Sequence, residues 1–269
     1  MKRQLEIENI VCGYPGKFML KSINFEVIKG SFTGIIGPNG SGKTTLFRGI
    51  TGEIPINSGN IYFKNRNLKE FTIKQKAQKF AIVTQKIETP NITVEEYVLM
   101  GRFPYKKPFQ FLETTEDFRL AEKYMKMTGV FKYKDTLFSE LSGGEQQLIS
   151  IAKALTQEPE ILLLDEPTSH LDIAHQVRIL NLLQRLNNQY DLTVIMIIHD
   201  LNLAGEYCDN IVMMNNGHIH KSGSASDVLN YEDIEEVYKT PVVTRENPIS
   251  KKPAIFLISE RVLQGKQKT

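Results

Sequence analysis

Near the start of the chain apolar positions alternate with polar ones: Leu5, Ile7 and Ile10, then Ile23, Phe25 and Val27, with Gly13-Tyr14-Pro15-Gly16 between the two groups. Alternation predicts half-buried strands, and the glycine-proline cluster predicts the turn that joins them. A short apolar run, Phe32 to Ile36, leads into a cluster of glycines, and Thr44 to Gly52 behind it reads as a helix stopped by Gly52. Phe80 to Thr84 reads as another short strand. Ile161 to Leu164 and Val194 to Ile198 are unbroken apolar runs bounded by polar residues, which suits strands covered on both faces of a parallel sheet. Between them Val177, Leu180, Leu183 and Leu186 recur at helical spacing. Strand, helix and buried strand in succession is the α/β layer pattern. From Val94 to about Leu155 helical spacing dominates, so a mostly helical insertion over about 90–157 is expected inside an α/β domain spanning 1–239. The tail 240–269 holds Pro241, Pro248 and Pro253 before the strand-like Ala254 to Ile258. It is expected to be a C-terminal extension, and its pattern implies no role.

Composition narrows the class. In 269 residues the apolar fraction is 41% and the charged fraction 24%, which excludes a disordered chain. Eighteen Gly and 11 Pro without a period exclude a fibrous one. Thirty-three Lys and Arg against 31 Asp and Glu leave a net charge of +2. That balance argues against a generic polyanion binder, and no nucleic-acid partner is expected. Cys12 and Cys208 are too few for a disulfide framework and read as incidental thiols of a reducing compartment. No apolar run comes after the basic start Met1-Lys2-Arg3, and none approaches the ~20 residues of a membrane span. The expectation is a soluble, cytoplasmic chain whose membrane role, if it has one, comes through a partner.

The glycine cluster carries the first chemistry. Gly37-Pro38-Asn39-Gly40-Ser41-Gly42-Lys43-Thr44 fits G-x-x-x-x-G-K-[ST], and a strand leads in while a helix leads out, as its mechanism requires. Glycines let the backbone fold tightly so that its N–H groups converge on phosphate oxygens, and the helix start adds partial positive charge. Lys43 would reach the β- and γ-phosphates, and Thr44 Oγ would ligate Mg²⁺, with Thr45 beside it. Ile161-Leu162-Leu163-Leu164-Asp165-Glu166 brings two carboxylates to the end of a buried strand. Asp165 would hold Mg²⁺ and Glu166 would orient and polarise the attacking water.

With Leu141-Ser142-Gly143-Gly144-Glu145 as a third piece, in this order and spacing, the chain resembles the nucleotide-binding subunit of an ATP-binding-cassette (ABC) transporter along nearly its whole length. The resemblance implies a P-loop NTPase fold of ABC type: a mixed-sheet core, an N-terminal antiparallel β subdomain and an inserted helical subdomain. It makes Ser142 to Glu145 the signature motif, whose backbone and Ser142 Oγ would cap the γ-phosphate of ATP held by another subunit. Gln85 matches the Q-loop glutamine, which senses Mg²⁺ and contacts the transmembrane partner. Ser169-His170-Leu171-Asp172 resembles the D-loop, with Asp172 reaching across a dimer. His199 matches the switch histidine at the γ-phosphate, and Tyr14 stands where the family places a ring under adenine. The remaining histidines, His170, His175, His218 and His220, show no metal-ligand spacing and read as solvated or D-loop residues. One departure is visible: Gln146, Gln147 and Leu148 come after the signature where basic residues are common, and the first positive charge is Lys153.

The resemblance implies a head-to-tail homodimer with ATP and Mg²⁺ at two shared sites, attached to multi-span permease subunits at the cytoplasmic face of the membrane. A substrate-binding protein outside the membrane would take part indirectly. Met100-Gly101-Arg102-Phe103-Pro104-Tyr105 resembles the G-R-x-P element of importers for iron-siderophores, haem or cobalamin, and in that family the region faces the permease. Molybdate or tungstate is the alternative cargo. A non-transport ABC ATPase acting on ribosomes or DNA, and a nucleotide switch without turnover, are the rival classes.

Overall fold

The computed structural model describes residues 2–14, 16, 18–86, 88–259 and 261–262. Along the chain run β1 (Arg3–Tyr14), β2 (Phe18–Met19), β3 (Ile23–Ile28), β4 (Phe32–Ile36), α1 (Lys43–Thr51), β5 (Ile56–Phe63), β6 (Arg66–Asn67), α2 (Ile73–Ala77), β7 (Phe80–Val83) and α3 (Val94–Leu99). Next come α4 (Thr115–Thr128), α5 (Gly143–Thr156), β8 (Ile161–Asp165), α6 (Ile173–Tyr190), β9 (Thr193–Ile197), α7 (Leu201–Tyr207), β10 (Asn210–Asn215) and β11 (His218–Gly223). The last are α8 (Ala225–Val228), α9 (Tyr231–Tyr238), β12 (Val242–Glu246) and β13 (Pro253–Leu257). No described helix is long and apolar enough to cross a membrane. The chain packs as two units: Met1–Gln4, Ile28–Gly30 and Tyr62–Met196 form one, and Leu5–Val27, Ser31–Ile61 and Ile197–Thr269 the other.

In the unit that contains β4, β1 pairs antiparallel with β2, placing Gly13 opposite Met19 and Tyr14 opposite Phe18. Gly13 and Tyr14 are therefore strand and not turn, which shortens the expected turn; its Pro15 lies outside the described residues. The reason is at Gly13, where φ is +150° and a Cβ would come within 2.2 Å of the Phe18 carbonyl oxygen. Glycine lets the two backbones approach and the ladder continue. All five residues of β4 are buried. It runs parallel to β10, Thr33 opposite Asn210 and Ile36 opposite Met213, and β10 is antiparallel to β11. Just beyond β9, the Ile198 N–H donates to Ile35 at 3.2 Å. Both cysteines are buried here, beside glycines that make room for them: a Cβ on Gly49 would meet Cys12 Sγ at 2.8 Å, and one on Gly34 would meet Cys208 Sγ at 2.6 Å. Burial pushes the Cys12 thiol up to about 11 and Cys208 to about 12, so both stay protonated and unreactive at neutral pH.

In the other unit β7 runs parallel to β8, in register from Phe80 opposite Ile161 to Val83 opposite Leu164, and β8 lies beside β9. Between β7 and β8 the described regular elements are all helical. Each main helix starts on a reciprocal cap: Thr93 with Glu96, Thr114 with Asp117 and Ser142 with Glu145, which satisfies amides that a helix start leaves open. The Tyr97 ring stacks on Phe138 at 4.1 Å and joins α3 to the turn before α5.

The Gly101-Arg102 pair is built into this helical packing. A Cβ on Gly101 would come within 2.2 Å of the Lys153 carbonyl oxygen. Arg102 is 6% exposed. It donates to Asp117 Oδ1 at 2.9 Å and to the Thr156 carbonyl at 2.9 Å, and its guanidinium lies 3.9 Å from the Tyr105 ring centre. Burial alone would raise the Asp117 carboxyl, but bonds from Thr114 and Arg102 overcome it and hold it below its usual value. Arg102 is thus a clasp inside the helical segment, while Phe103 beside it is exposed. Arg102→Met leaves Asp117 buried without its cation, and urea unfolding should report a loss of about 3–5 kcal/mol.

Candidate active site

In the β4 unit the backbone leaves the sheet at Gly37, where φ is +146° and a Cβ would come 2.3 Å from the Met214 carbonyl oxygen. The loop then folds back on itself, with the Ser41 N–H donating to Pro38 at 3.2 Å. At Gly40 φ is +79° and nothing lies within 4 Å of where a Cβ would stand, so that peptide faces open space. Gly42, at φ 105°, delivers the chain into α1, whose first turn holds no acidic residue. Lys43 is 5% exposed, and its ammonium arches over the loop to the carbonyls of Gly37 and Pro38 at 2.8 and 3.0 Å. The buried Ser41 hydroxyl has no hydrogen-bond partner among the described residues. An unpaired buried donor, a folded-in ammonium and a helix start facing open backbone together suit an anionic, oxygen-rich ligand, which is what the triphosphate of ATP offers. Pro38, Asn39, Thr44 and Thr45 complete the loop and first turn and are partly or fully exposed.

Tyr14 is 39% exposed, and its hydroxyl accepts from Arg48 Nη1 at 2.8 Å. Phe18, opposite it in the ladder, is the ring packed on the loop-helix junction, since a Cβ on Gly42 would meet its Cε1 at 2.9 Å. Tyr14 remains the ring with an open face. His199 is exposed two residues beyond β9, directly before the Asp200 cap of α7.

In the other unit the four apolar residues of β8 are buried and the strand ends at Asp165. Because β7 runs parallel in register, Gln85 reaches the same end. Gln85 Nε2 donates to Glu166 Oε2 at 2.7 Å, and Ser169 Oγ donates to the same oxygen at 2.9 Å. Glu166 sits at φ 51°, a left-handed backbone held by the Ser169 N–H on its carbonyl at 3.1 Å. A non-glycine residue in that region is strained, and such strain gathers at functional sites. The structure thus joins Gln85 to the carboxylate expected to act as base. It also shows Ser169, in the sequence only one letter of a loop motif, as a second group orienting that carboxylate.

The signature residues form a separate cluster. Glu145 accepts from the Ser142 N–H at 3.0 Å and from Ser142 Oγ at 2.6 Å, and from the Tyr133 hydroxyl. The Ser142 hydroxyl, Tyr133 and the Ser142 N–H hold the Glu145 carboxyl down at about 2. Here the structure departs from expectation: the Ser142 proton is used by Glu145, which leaves the backbone N–H groups of Gly143 and Gly144 as donors. Tyr133 gave no sequence signal, because it lies in a short 3-10 turn twelve positions upstream. Nothing stands within 4 Å of a Cβ on Gly143, whereas one on Gly144 would strike the His175 ring at 2.6 Å. Asp172 caps α6, accepting from the His175 N–H at 2.9 Å and pairing with His175 Nδ1 at 2.8 Å; both bonds keep its carboxyl below the usual range. Outside this unit, His220 is not solvated as its sequence context implies; it is half-buried and pairs with Asp233 at 2.8 Å.

A tight glycine loop between a buried parallel strand and a helix defines this as a P-loop nucleotide-binding α/β protein. A family profile described as ABC transporter matches residues 20–169. The chain belongs to the ABC transporter family and carries its ATP-hydrolysing domain. It is 36% identical to the ATP-binding protein YvrA of Bacillus subtilis over 96% of this chain, and it spans 58% of YvrA's length. It is 35% identical to the iron(3+)-hydroxamate import ATP-binding protein FhuC of the same organism, over 93% of each chain. Among solved structures, an inward-facing metal-chelate type ABC transporter superposes with a TM-score of 0.84 at 26% identity, covering 97% of this chain and 99% of that one.

The Glu145 carboxyl ties this cluster to pH. In the unfolded chain it titrates near ~4.3, above its folded value of about 2. Its contribution to stability is full above the unfolded value and is lost as pH falls towards the folded one. Glu145→Gln should therefore flatten the fall in urea midpoint between about pH 5 and pH 3 relative to the native chain.

Proposed function

We propose that this chain is the ATP-hydrolysing subunit of an importer for a metal chelate, an iron-siderophore, haem or cobalamin, and that it works as a head-to-tail homodimer on multi-span permease subunits at the cytoplasmic face of the membrane. An extracytoplasmic binding protein would deliver the cargo. The near full-length match to FhuC, which is named for iron(3+)-hydroxamate import, supports the direction and the cargo class. The observation that carries the hydrolytic step is the Glu166 carboxylate, fixed through one oxygen by Gln85 and Ser169 at the end of a buried strand.

Each residue then has a chemical task. The N–H groups of the loop 37–42 and the start of α1 receive the phosphates, and Lys43 exchanges its two carbonyl partners for β- and γ-oxygens. Glu166 orients a water and takes its proton as the oxygen attacks the γ-phosphorus; Gln85 keeps that carboxylate in place. His199 contacts the γ-phosphate, and Tyr14 stacks on adenine, a contact tolerant of base identity. Thr44 Oγ, Gln85 and Asp165 have hard oxygen donors of the kind Mg²⁺ accepts and would hold that ion, which would supply neutralisation of phosphate charge. The amides of Gly143 and Gly144 cap the γ-phosphate of ATP held by a second copy, with Asp172 beside it. As the family resemblance implies, two copies related by a two-fold axis would complete two sites, each between one copy's phosphate loop and the other copy's signature turn. ATP binding closes that pair and hydrolysis opens it, which drives the permease.

Glu166→Gln should keep nucleotide affinity and lose turnover by ~10²–10⁴-fold, the usual worth of a general base. Native turnover should rise faster than linearly with protein concentration in dilute solution; near-native turnover in the variant removes Glu166 from the role, and strict linearity removes the dimer. In vesicles carrying the permease and binding protein, ATP should drive accumulation of a ferric chelate, haem or cobalamin. Accumulation of molybdate instead assigns the alternative cargo.

A further inference from the structure

The C-terminal segment, whose sequence pattern implies no role, is fastened to the helix that begins just after His199. Asn202 stands in the first turn of α7. Its N–H and that of Leu203 donate to Asp200 Oδ1 at 2.8 and 2.9 Å, so the capping carboxylate is the next residue after His199 in the chain. The Asn202 side chain turns to β13: Oδ1 accepts from the Ile255 N–H at 2.7 Å, and Nδ2 donates to the Ile255 carbonyl at 3.2 Å. In a two-stranded antiparallel ladder every second residue points its N–H and C=O away from the partner strand. Ile255, opposite Thr244 in β12, is such a residue, and one carboxamide takes both of its groups as if it were a further rung.

Other contacts fix the hairpin β12–β13 in the same place. Ser250 Oγ donates to Glu206 Oε2 at 2.8 Å, and Lys252 bonds the Glu206 carbonyl near the end of α7. Gly205 lets the hairpin come close, since a Cβ there would sit 3.0 Å from the Pro253 carbonyl oxygen. On its far side, the Val242 N–H donates to Glu235 of α9 at 3.0 Å. The last residue of α9, Tyr238, turns a buried hydroxyl towards the Gly37 backbone at the entry of the phosphate loop. The hairpin therefore braces α7, the helix that starts just after His199, and is itself held by α9.

We propose that Asn202 is a positioning residue for ATP hydrolysis, holding the start of α7, and with it His199, through the C-terminal hairpin. The inference rests on the reading of His199 as the γ-phosphate contact. A helix of seven residues has little internal stability and frays at its ends unless tied. Displacing a phosphate-contacting group by about 1 Å can cost on the order of 10²-fold in rate. The loop that binds nucleotide is only indirectly attached, so the effect belongs in turnover and not in affinity.

The test uses the full chain with its permease, and measures steady-state ATPase, binding of a fluorescent ATP analogue and thermal unfolding. Asn202→Leu keeps the shape and removes both bonds; Asn202→Asp keeps the acceptor and loses the donor. The expected result is a fall in kcat of about 10–100-fold for Asn202→Leu, a smaller fall for Asn202→Asp, and KM for ATP and analogue affinity within about twofold of native. Native kcat in the leucine variant at a temperature where both chains are folded overturns the inference, as does a loss confined to KM. If Asn202→Leu does not fold, native kcat in Asn202→Asp overturns it. His199→Ala in the same assay separates the two layers: retained turnover there removes the reading of His199 itself, whereas lost turnover there with native turnover in Asn202→Leu removes only the positioning role.

Discussion

Strands buried on both faces have no room for polar side chains along their length, and several of the residues expected to carry the chemistry stand where such strands stop. Every residue of β4 and β9 and the first four of β8 are buried. Within two residues of each strand end the chain turns polar: the glycine loop after β4, Asp165 and Glu166 at the end of β8, and His199 beyond β9. This is the general behaviour of parallel α/β sheets, where ligands meet the carboxyl ends of the strands. Burial does two jobs at once: it stabilises the core, and it fixes the point at which each candidate site residue emerges.

Helix caps do the rest of the positioning. Glu145, Asp172 and Asp200 each satisfy amides at a helix start. The first is the acidic residue of the signature turn, the second lies in the segment read as a D-loop, and the third is the neighbour of His199. Because a capping carboxylate spends its lone pairs on local donors, it is less available to a ligand. The donors that remain at the proposed phosphate contact are backbone amides, whose direction is set by the helix and not by a rotamer. That division explains why Ser142 and Glu145 matter to the signature turn while their side chains bond mainly to each other.

Much of this was legible from the residues. Unbroken apolar runs marked β4, β8 and β9 to within a residue or two, and the G-x-x-x-x-G-K-T spacing marked the tight glycine loop between β4 and α1, because those patterns follow from burial and backbone geometry that act locally. Less legible were features that depend on a partner that only folding brings into contact, whether near or far in sequence. Gly13 and Tyr14 looked like a turn because nothing local reveals the pairing with Phe18 and Met19. Arg102 stood in an element whose resemblance implies a face towards the permease, while its buried partner Asp117 and the Thr156 carbonyl arrive from other helices. His220 looked solvated because Asp233 comes from α9. Tyr133 carried no signal and Ser169 only its place in the D-loop resemblance, because a hydroxyl advertises no chemistry until a carboxylate is brought to it.

The order of short-range motifs along the chain was enough to determine the family and to single out the glycine loop and the two carboxylates as candidates, since each motif is a contiguous stretch. Only the tertiary structure decided how those groups are held: Gln85 and Ser169 on one oxygen of Glu166, Glu145 turned inward on Ser142 and Tyr133, Asn202 laid along the edge of β13. Hydrogen bonds form between groups that folding brings within about 3 Å; pairs 53 or 81 positions apart, as Asn202–Ile255 and Gln85–Glu166 are, reach that distance only through the packing of the elements that carry them, and pairs a few positions apart reach it only in the turn that folding selects.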